Sequence, residues 1–571
     1  MKISRPTRSF VDQTLRIENW NSIAPYFKNL VERNIETKED FLQWLKDQSE
    51  LEAILEEDAA WRYIKMTINT KDEELSKAYT FFTSEIQPKI APFDDQLNRK
   101  LNDSPFTSEL EDDDAFKILF RKVKTSIQLY REENITLFSE VSEESQKFGA
   151  LSAQQSIEHD GEKLTMQKAA SLLKETDEDL RKTVFNKIAN RRREDVEKFN
   201  ELFNTLLKKR HQIAINAGFD NFRDYKMLAM GRFDYSVKDC EDFHSSVKTE
   251  IVPLVKKIQE ERLAKLGKDK FMPWDTDVDP EGKQPLKPFE KGDDLLEGTI
   301  KMLHDIDPYF GDCLATMREM NHLDLDSKEG KAPGGYNYPL YEIGVPFIFM
   351  NAVGSHRDLV TMVHEGGHAI HSFLSRELEL TGFKNLPSEV AELASMSMEL
   401  LSMEKWGEFY ASEDDLKRAK KEQLETTIRL LPWIAQVDEF QHWLYVNHSH
   451  SDEERTEKWL SLSSEYGTGL TDWTGNEDIL ATSWQRQLHI FEVPFYYIEY
   501  GISQLGALSV WKNSLENKEL AISQYKSALK LAYTKSIPEI YKTAGVEFNF
   551  STKYIKNLSL FIGEQLKELQ S

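Results

Sequence analysis

The reading of this chain turns on His364-Glu365-Gly366-Gly367-His368-Ala369-Ile370-His371, followed after a short connection by Glu389-Val390-Ala391-Glu392-Leu393-Ala394-Ser395-Met396. Just upstream, Ser355-His356-Arg357-Asp358 reads as an N-cap box, and Leu359, Val360, Met362, Val363, Ile370, Phe373 and Leu374 carry a helix onward through the histidines. Residues four apart on a helix lie about 40° apart around it and one turn along it. His364 and His368 can therefore reach one metal ion, with Glu365 beside the remaining coordination position. With 13 His in 571 residues, such an H-E-x-x-H pattern arises by accident on the order of 0.03 times per chain. Gly366 and Gly367 each cost about 1 kcal/mol relative to Ala inside a helix, so something is expected to approach this helix closely.

Zinc needs a third protein ligand. The position six residues after His368 is Leu374, which cannot coordinate, and His371 would stack a third ligand along one straight helix, where three ligands do not close around a tetrahedral ion. His371 is better read as a supporting or core residue. Pro387-Ser388 opens a second helix, expected from Glu389 to Met403, on which Glu389, Glu392 and Glu399 share a face among Leu, Ala and Met. Glu392 is the best candidate for the third ligand, with Glu389 behind it.

These two segments together resemble the thimet oligopeptidase and oligoendopeptidase F family of zinc metallopeptidases, and the oligoendopeptidase F branch in particular. Its third ligand is a glutamate in a Glu-x-x-Ser-x-x-x-Glu setting, which Glu392, Ser395 and Glu399 match. The resemblance assigns His364, His368 and Glu392 to one zinc ion per chain and Glu399 to orienting a ligand histidine. It implies a mainly α fold: an elongated, two-lobed helical shell enclosing a deep active-site channel, with a small β-sheet beside the zinc-binding helix. Upstream, Gly334-Gly335-Tyr336 and Pro346-Phe347-Ile348-Phe349-Met350-Asn351 look like the family's edge strand, against which an extended peptide can pair. Downstream, Gln485-Arg486-Gln487-Leu488-His489 and Pro494-Phe495-Tyr496-Tyr497-Ile498-Glu499-Tyr500-Gly501 resemble the segment whose His and Tyr hold substrate and stabilise the oxyanion. That role carries over to His489, Tyr497 and Tyr500. In the thimet branch a tyrosine follows five residues after the histidine, where this chain has Pro494, and the spacing to Tyr497 differs by one. Which tyrosine serves the oxyanion stays open.

The function expected is zinc-dependent hydrolysis of internal bonds in short peptides, with Glu365 as the base that takes the proton of the attacking water. A zinc metallocarboxypeptidase could share the same motif and later glutamate. A catalytically inactive peptide-binding protein is the weaker alternative, because the base and all three ligands are present.

The rest of the chain sets limits. Its 73 Lys+Arg against 98 Asp+Glu leave a net charge of −25, which excludes an electrostatically driven nucleic-acid binder. No stretch approaches a membrane span, and the first residues lack the apolar core of a signal peptide. Cys240 and Cys313 cannot make a disulfide framework or a Cys-based metal site between them, so a reducing compartment and a cytoplasmic protein are expected. The oligomeric state is not legible. Asp160-Gly161, between Ser156–His159 and Glu162–Thr165, predicts a type I′ hairpin near a lobe boundary, with an N-terminal helical lobe over 1–180 and the catalytic domain over 181–571. Apolar periodicity from Thr176 to Asn216 predicts one long helix ending before Gly218. Pro273, Pro280, Pro285 and Pro288 mark a long surface connection between Phe271 and Phe289. Tyr336 to Met350 reads as one or two short strands, whose prolines favour a sheet edge. The loop Tyr466 to Thr471 is rich enough in small residues to move.

Overall fold

Helices carry most of the chain, as its 3.6-residue periodicity predicts, and among the described residues the strands form two small sheets. The computed structural model describes residues 1–570. Contacts divide the chain into two units, the first made of Met1–Tyr130, Lys287–Leu416 and Ser503–Phe548, the second of Arg131–Leu286, Lys417–Ile502 and Asn549–Ser571.

In the first unit, the aromatic faces of N-terminal helices, including Phe27, Trp44 and Phe82, form a core closed by Leu380 and Phe383. Beside it lies a three-stranded sheet in which Phe347–Ala352 is central, parallel to Leu323–Asp326 and antiparallel to Tyr336–Tyr338. Of the one or two strands expected over 336–350, two form, Tyr336–Tyr338 and Phe347–Ala352, but only the first is an edge. The reason is that Pro346 ends just before Phe347, so no proline interrupts the ladder on either side of the central strand. The Leu323–Asp326 strand was not anticipated; its Leu-Asp-Leu-Asp alternation is four residues long and half of it is charged.

The second unit contains the hairpin as expected, pairing Ser156 with Thr165 and His159 with Glu162. Asp160 and Gly161 take φ of 51° and 79°, the left-handed pair that a type I′ turn demands. The single long helix is not found. It breaks into Glu178–Arg193 and Val196–Asn216. At the break, Asp195 turns inward, almost fully buried, and accepts from Arg191 at 2.5 Å, Lys198 at 2.8 Å and Gln155 at 3.1 Å. Three donors to one buried carboxylate hold Asp195 in this non-helical turn. The proline-rich 271–289 segment has no helix or strand beyond an isolated bridge from Phe271 to Thr471, which ties it to the 466–471 loop. Both cysteines are buried and neither is in a disulfide. Among the described residues no helix is long and apolar enough to cross a membrane.

Candidate active site

The motif lies on the His356–Ser375 helix, and the glutamates on Ser388–Ser402. Ser355 caps the first as predicted: its Oγ accepts from Asp358 N at 3.3 Å, while Asp358 Oδ2 accepts from Ser355 N at 2.9 Å. Pro387 precedes the second helix.

The two helices meet at Gly367. A Cβ there would stand 2.7 Å from both the Ala394 carbonyl oxygen and Ser395 Cα, so the glutamate helix passes where any side chain would be. The close approach anticipated for the glycine pair belongs to Gly367 alone, since a Cβ on Gly366 would meet only leucine methyls at 3.9 Å.

That contact brings the candidate ligands together. One ligand atom from each of His364, His368 and Glu392 falls within 4.8 Å of the others. Glu392 Oε2 is 3.4 Å from His364 Nε2 and 3.8 Å from His368 Nε2, and the imidazole rings are nearly perpendicular. The supports are equally specific. Glu399 Oε1 accepts from His364 Nδ1 at 2.7 Å, which turns Nε2 to the cluster as the nitrogen that would take an ion once its proton is lost. Ser395 Oγ donates to Glu392 Oε2 at 3.0 Å. Asn337, on the edge strand, donates to the Glu365 carbonyl at 3.3 Å and joins the sheet to the motif helix. Glu389 is buried on the same helix but outside this cluster. His371 is buried too; burial and the neighbouring His368 push its imidazole down to about 3, which keeps it neutral as a core residue.

Burial is the largest single influence on each of His364, His368 and Glu365. It disfavours charge on His364, yet the Glu399 hydrogen bond and the carboxylates of Glu392, Glu399 and Glu365 outweigh it and raise the imidazole to about 10. On His368 burial prevails, against the pull of Glu392, and lowers it to about 4. Burial also lifts the Glu365 carboxyl to about 7, with His364 opposing and Glu392 reinforcing. Two imidazoles among three carboxylates make a site that concentrates positive charge, and a His₂Glu donor set suits zinc.

The other three candidates, His489, Tyr497 and Tyr500, lie in the second unit and are brought together there. The His489 ring centroid is 4.8 Å from that of Tyr497 and 5.8 Å from that of Tyr500, and Gln487 Nε2 lies 2.7 Å from His489 Nδ1. Tyr497 is buried, whereas Tyr500 is half-buried. Sequence reasoning missed the frame beneath this segment. Arg210 donates to the Ile490 and Phe491 carbonyls, Arg232 to the Phe495 carbonyl and to Glu499, and Gln441 accepts from Phe495 N at 2.8 Å. Two buried arginines far away in the chain leave no local pattern; the readable trace is only that charged residues interrupt apolar helix faces.

The chain is similar to known peptidases over most of its length. The model of Peptidase family M3 matches residues 171–560, and that of the Peptidase M3 N-terminal domain matches residues 10–130. An oligoendopeptidase F homolog from Borreliella burgdorferi is 22% identical over 560 residues, covering 91% of this chain and 89% of that protein. Oligopeptidase PepF from Bacillus subtilis is 24% identical over 291 residues, covering 49% of this chain and 41% of that one. Among solved structures, PZ peptidase A with inhibitor 2 superposes with a TM-score of 0.91 at 28% identity, covering 99% of this chain and 100% of that one.

Proposed function

The chain belongs to Peptidase family M3, and from that premise we propose that it is a zinc-dependent endopeptidase of oligopeptides whose ion is held by His364, His368 and Glu392. The observation that carries the residue assignment is the convergence of these three ligand atoms within 4.8 Å, with Glu399 holding His364 from behind. Zinc, when bound, acidifies water and polarises the scissile carbonyl.

The side chains supply the remainder. Glu365, buried beside the ligand histidines, would take the proton of the attacking water and return it to the leaving amine. His489 and a tyrosine, Tyr497 or Tyr500, donate to the oxygen on which negative charge develops. The peptide backbone can add to the free side of Tyr336–Tyr338, the one strand in this stretch with an unpaired edge. The chain is read as an N-terminal helical lobe over 1–180 and a catalytic domain over 181–571. Two buried cysteines outside any disulfide support a reducing, cytoplasmic setting.

The test incubates wild type and Glu365→Gln with a mixture of short peptides and one folded protein, followed by mass spectrometry. Internal cuts in peptides, absent in the variant and with the folded protein intact, are expected. Removal of single C-terminal residues would replace this reading with a carboxypeptidase, and cleavage by Glu365→Gln at the wild-type rate would remove Glu365 as the base.

A further inference from the structure

A second group of metal-binding side chains lies in the second unit, on elements remote in sequence from the H-E-x-x-H motif. Cys240 and His244 stand four apart on the Val237–Ser246 helix, and Asp438 and His442 stand four apart on the Glu413–Val446 helix. Both pairs obey the spacing that puts two side chains on one helix face, and the two faces meet. Cys240, Asp438 and His442 each offer one ligand atom within 4.8 Å of the others. Asp438 is 0% exposed, Cys240 2%, His244 4% and His442 7%.

Asp438 Oδ2 accepts from His244 Nε2 at 2.8 Å, but its Oδ1 has no hydrogen-bond partner. His442 Nε2 is 3.3 Å from Oδ2, out of line for a hydrogen bond, and has no other partner. Two buried polar atoms of the cluster, Asp438 Oδ1 and His442 Nε2, thus have no hydrogen-bond partner.

We propose that Cys240, Asp438 and His442 bind a second divalent metal ion, of the zinc class, with a structural role. A thiolate and a carboxylate carry two negative charges that a divalent ion neutralises, and neutral imidazole adds none. Mixed sulfur, nitrogen and oxygen donors select zinc over magnesium or calcium, which take oxygen alone. Binding releases the thiol proton of Cys240 to solvent. His244, through its hydrogen bond to Oδ2, orients the carboxylate so that Oδ1 faces the ion.

The place explains the use. The His442 ring packs edge-on against Phe495 at 5.4 Å, and the adjacent Gln441 holds Phe495 N. Phe495 sits at φ 69°, a left-handed conformation that a bulky residue keeps only when its surroundings hold it. An ion clamping the two helices below fixes the support on which the His489 to Tyr500 segment is laid.

Cobalt titration of the metal-stripped chain tests this. The N/O donors His364, His368 and Glu392 cannot produce a thiolate-to-cobalt charge-transfer band in the near ultraviolet, whereas a Cys240 site must. We expect two equivalents bound per chain, one of them with the band. The double variant His364→Ala/His368→Ala should keep one equivalent and the band, and Cys240→Ser should lose both that equivalent and the band. A single equivalent in wild type without the band overturns the proposal, as does a band that survives in Cys240→Ser. Should Cys240→Ser fail to fold, wild type and the histidine double variant still decide.

Discussion

Glu399 Oε1 lies 2.7 Å from His364 Nδ1, and that hydrogen bond, made from the far end of the glutamate helix, decides which imidazole nitrogen faces Glu392. The partner has consequences for metal affinity, because a carboxylate behind a ligand histidine fixes its tautomer and raises its basicity. In Glu399→Gln the geometry can persist while the charge is lost. Zinc affinity, measured by competition with a chromophoric chelator, should fall by about 10- to 100-fold, with thermal stability of the metal-free chain little changed. Wild-type affinity in this variant would show that Glu399 merely packs.

The adjacent glycines should respond in opposite ways. Gly367→Ala places a methyl 2.7 Å from the Ala394 carbonyl oxygen and Ser395 Cα, both backbone atoms that can yield only if the helices part. Overpacking of this kind costs roughly 1–3 kcal/mol, and the displaced Glu392 should weaken zinc binding as well. At Gly366 the nearest atoms are leucine methyls at 3.9 Å, so Ala fits and gains about 0.5–1 kcal/mol through helix propensity. Denaturant unfolding of the two variants in parallel checks the contrast; equal destabilisation would contradict it.

What the sequence showed and what it hid follow from how far apart the cooperating residues are. His364, His368 and the Ser355 cap are legible because one helix carries them at fixed intervals, and Asp160-Gly161 is legible because the turn is local. Glu392 needs a second helix, which Pro387 announces, and the resemblance to a known family singles it out. The sheet order escaped because the partner of Phe347–Ala352, the Leu323–Asp326 strand, is short and half-polar. The helix break at Asp195 escaped because its cause is tertiary: Gln155, which helps to satisfy Asp195, is 40 residues away. The arginine frame around residues 490–499 and the paired Cys240/His244 and Asp438/His442 faces are hidden for the same reason.

A cavity of the first unit should give the stability curve a pH dependence. Glu56 and Asp94 line it with Glu52 and Lys122, and burial, reinforced by Glu52, pushes both carboxyls up to about 7. Both side chains are solvent-exposed at the cavity wall, so water screens the effect and the change in midpoint is small. A raised carboxyl binds its proton more tightly folded than unfolded, so stability from these groups is greatest below about pH 4 and declines as pH rises towards 7. Glu56→Gln and Asp94→Asn should therefore raise the thermal midpoint at pH 8 and leave it unchanged near pH 4. A gain of equal size at both pH values would show that packing, and not ionisation, is responsible.

The two tyrosines beside His489 can be separated by their exposure. Tyr497 is buried and packs edge-on to His489 at 4.8 Å, whereas Tyr500, with its ring at 5.8 Å from the same imidazole, is half-buried. A hydroxyl that stabilises developing charge must reach the reacting oxygen, and losing such a donor lowers kcat by about 10²- to 10³-fold with little change in substrate binding. Tyr500→Phe should show that pattern with a quenched fluorescent peptide, with kcat reduced and KM near wild type. Tyr497→Phe should lose little kcat, because its hydroxyl is enclosed by protein and its ring, retained as Phe, still supports His489. The reverse ranking would assign the oxyanion donor to Tyr497 and make Tyr500 a packing residue of the same segment.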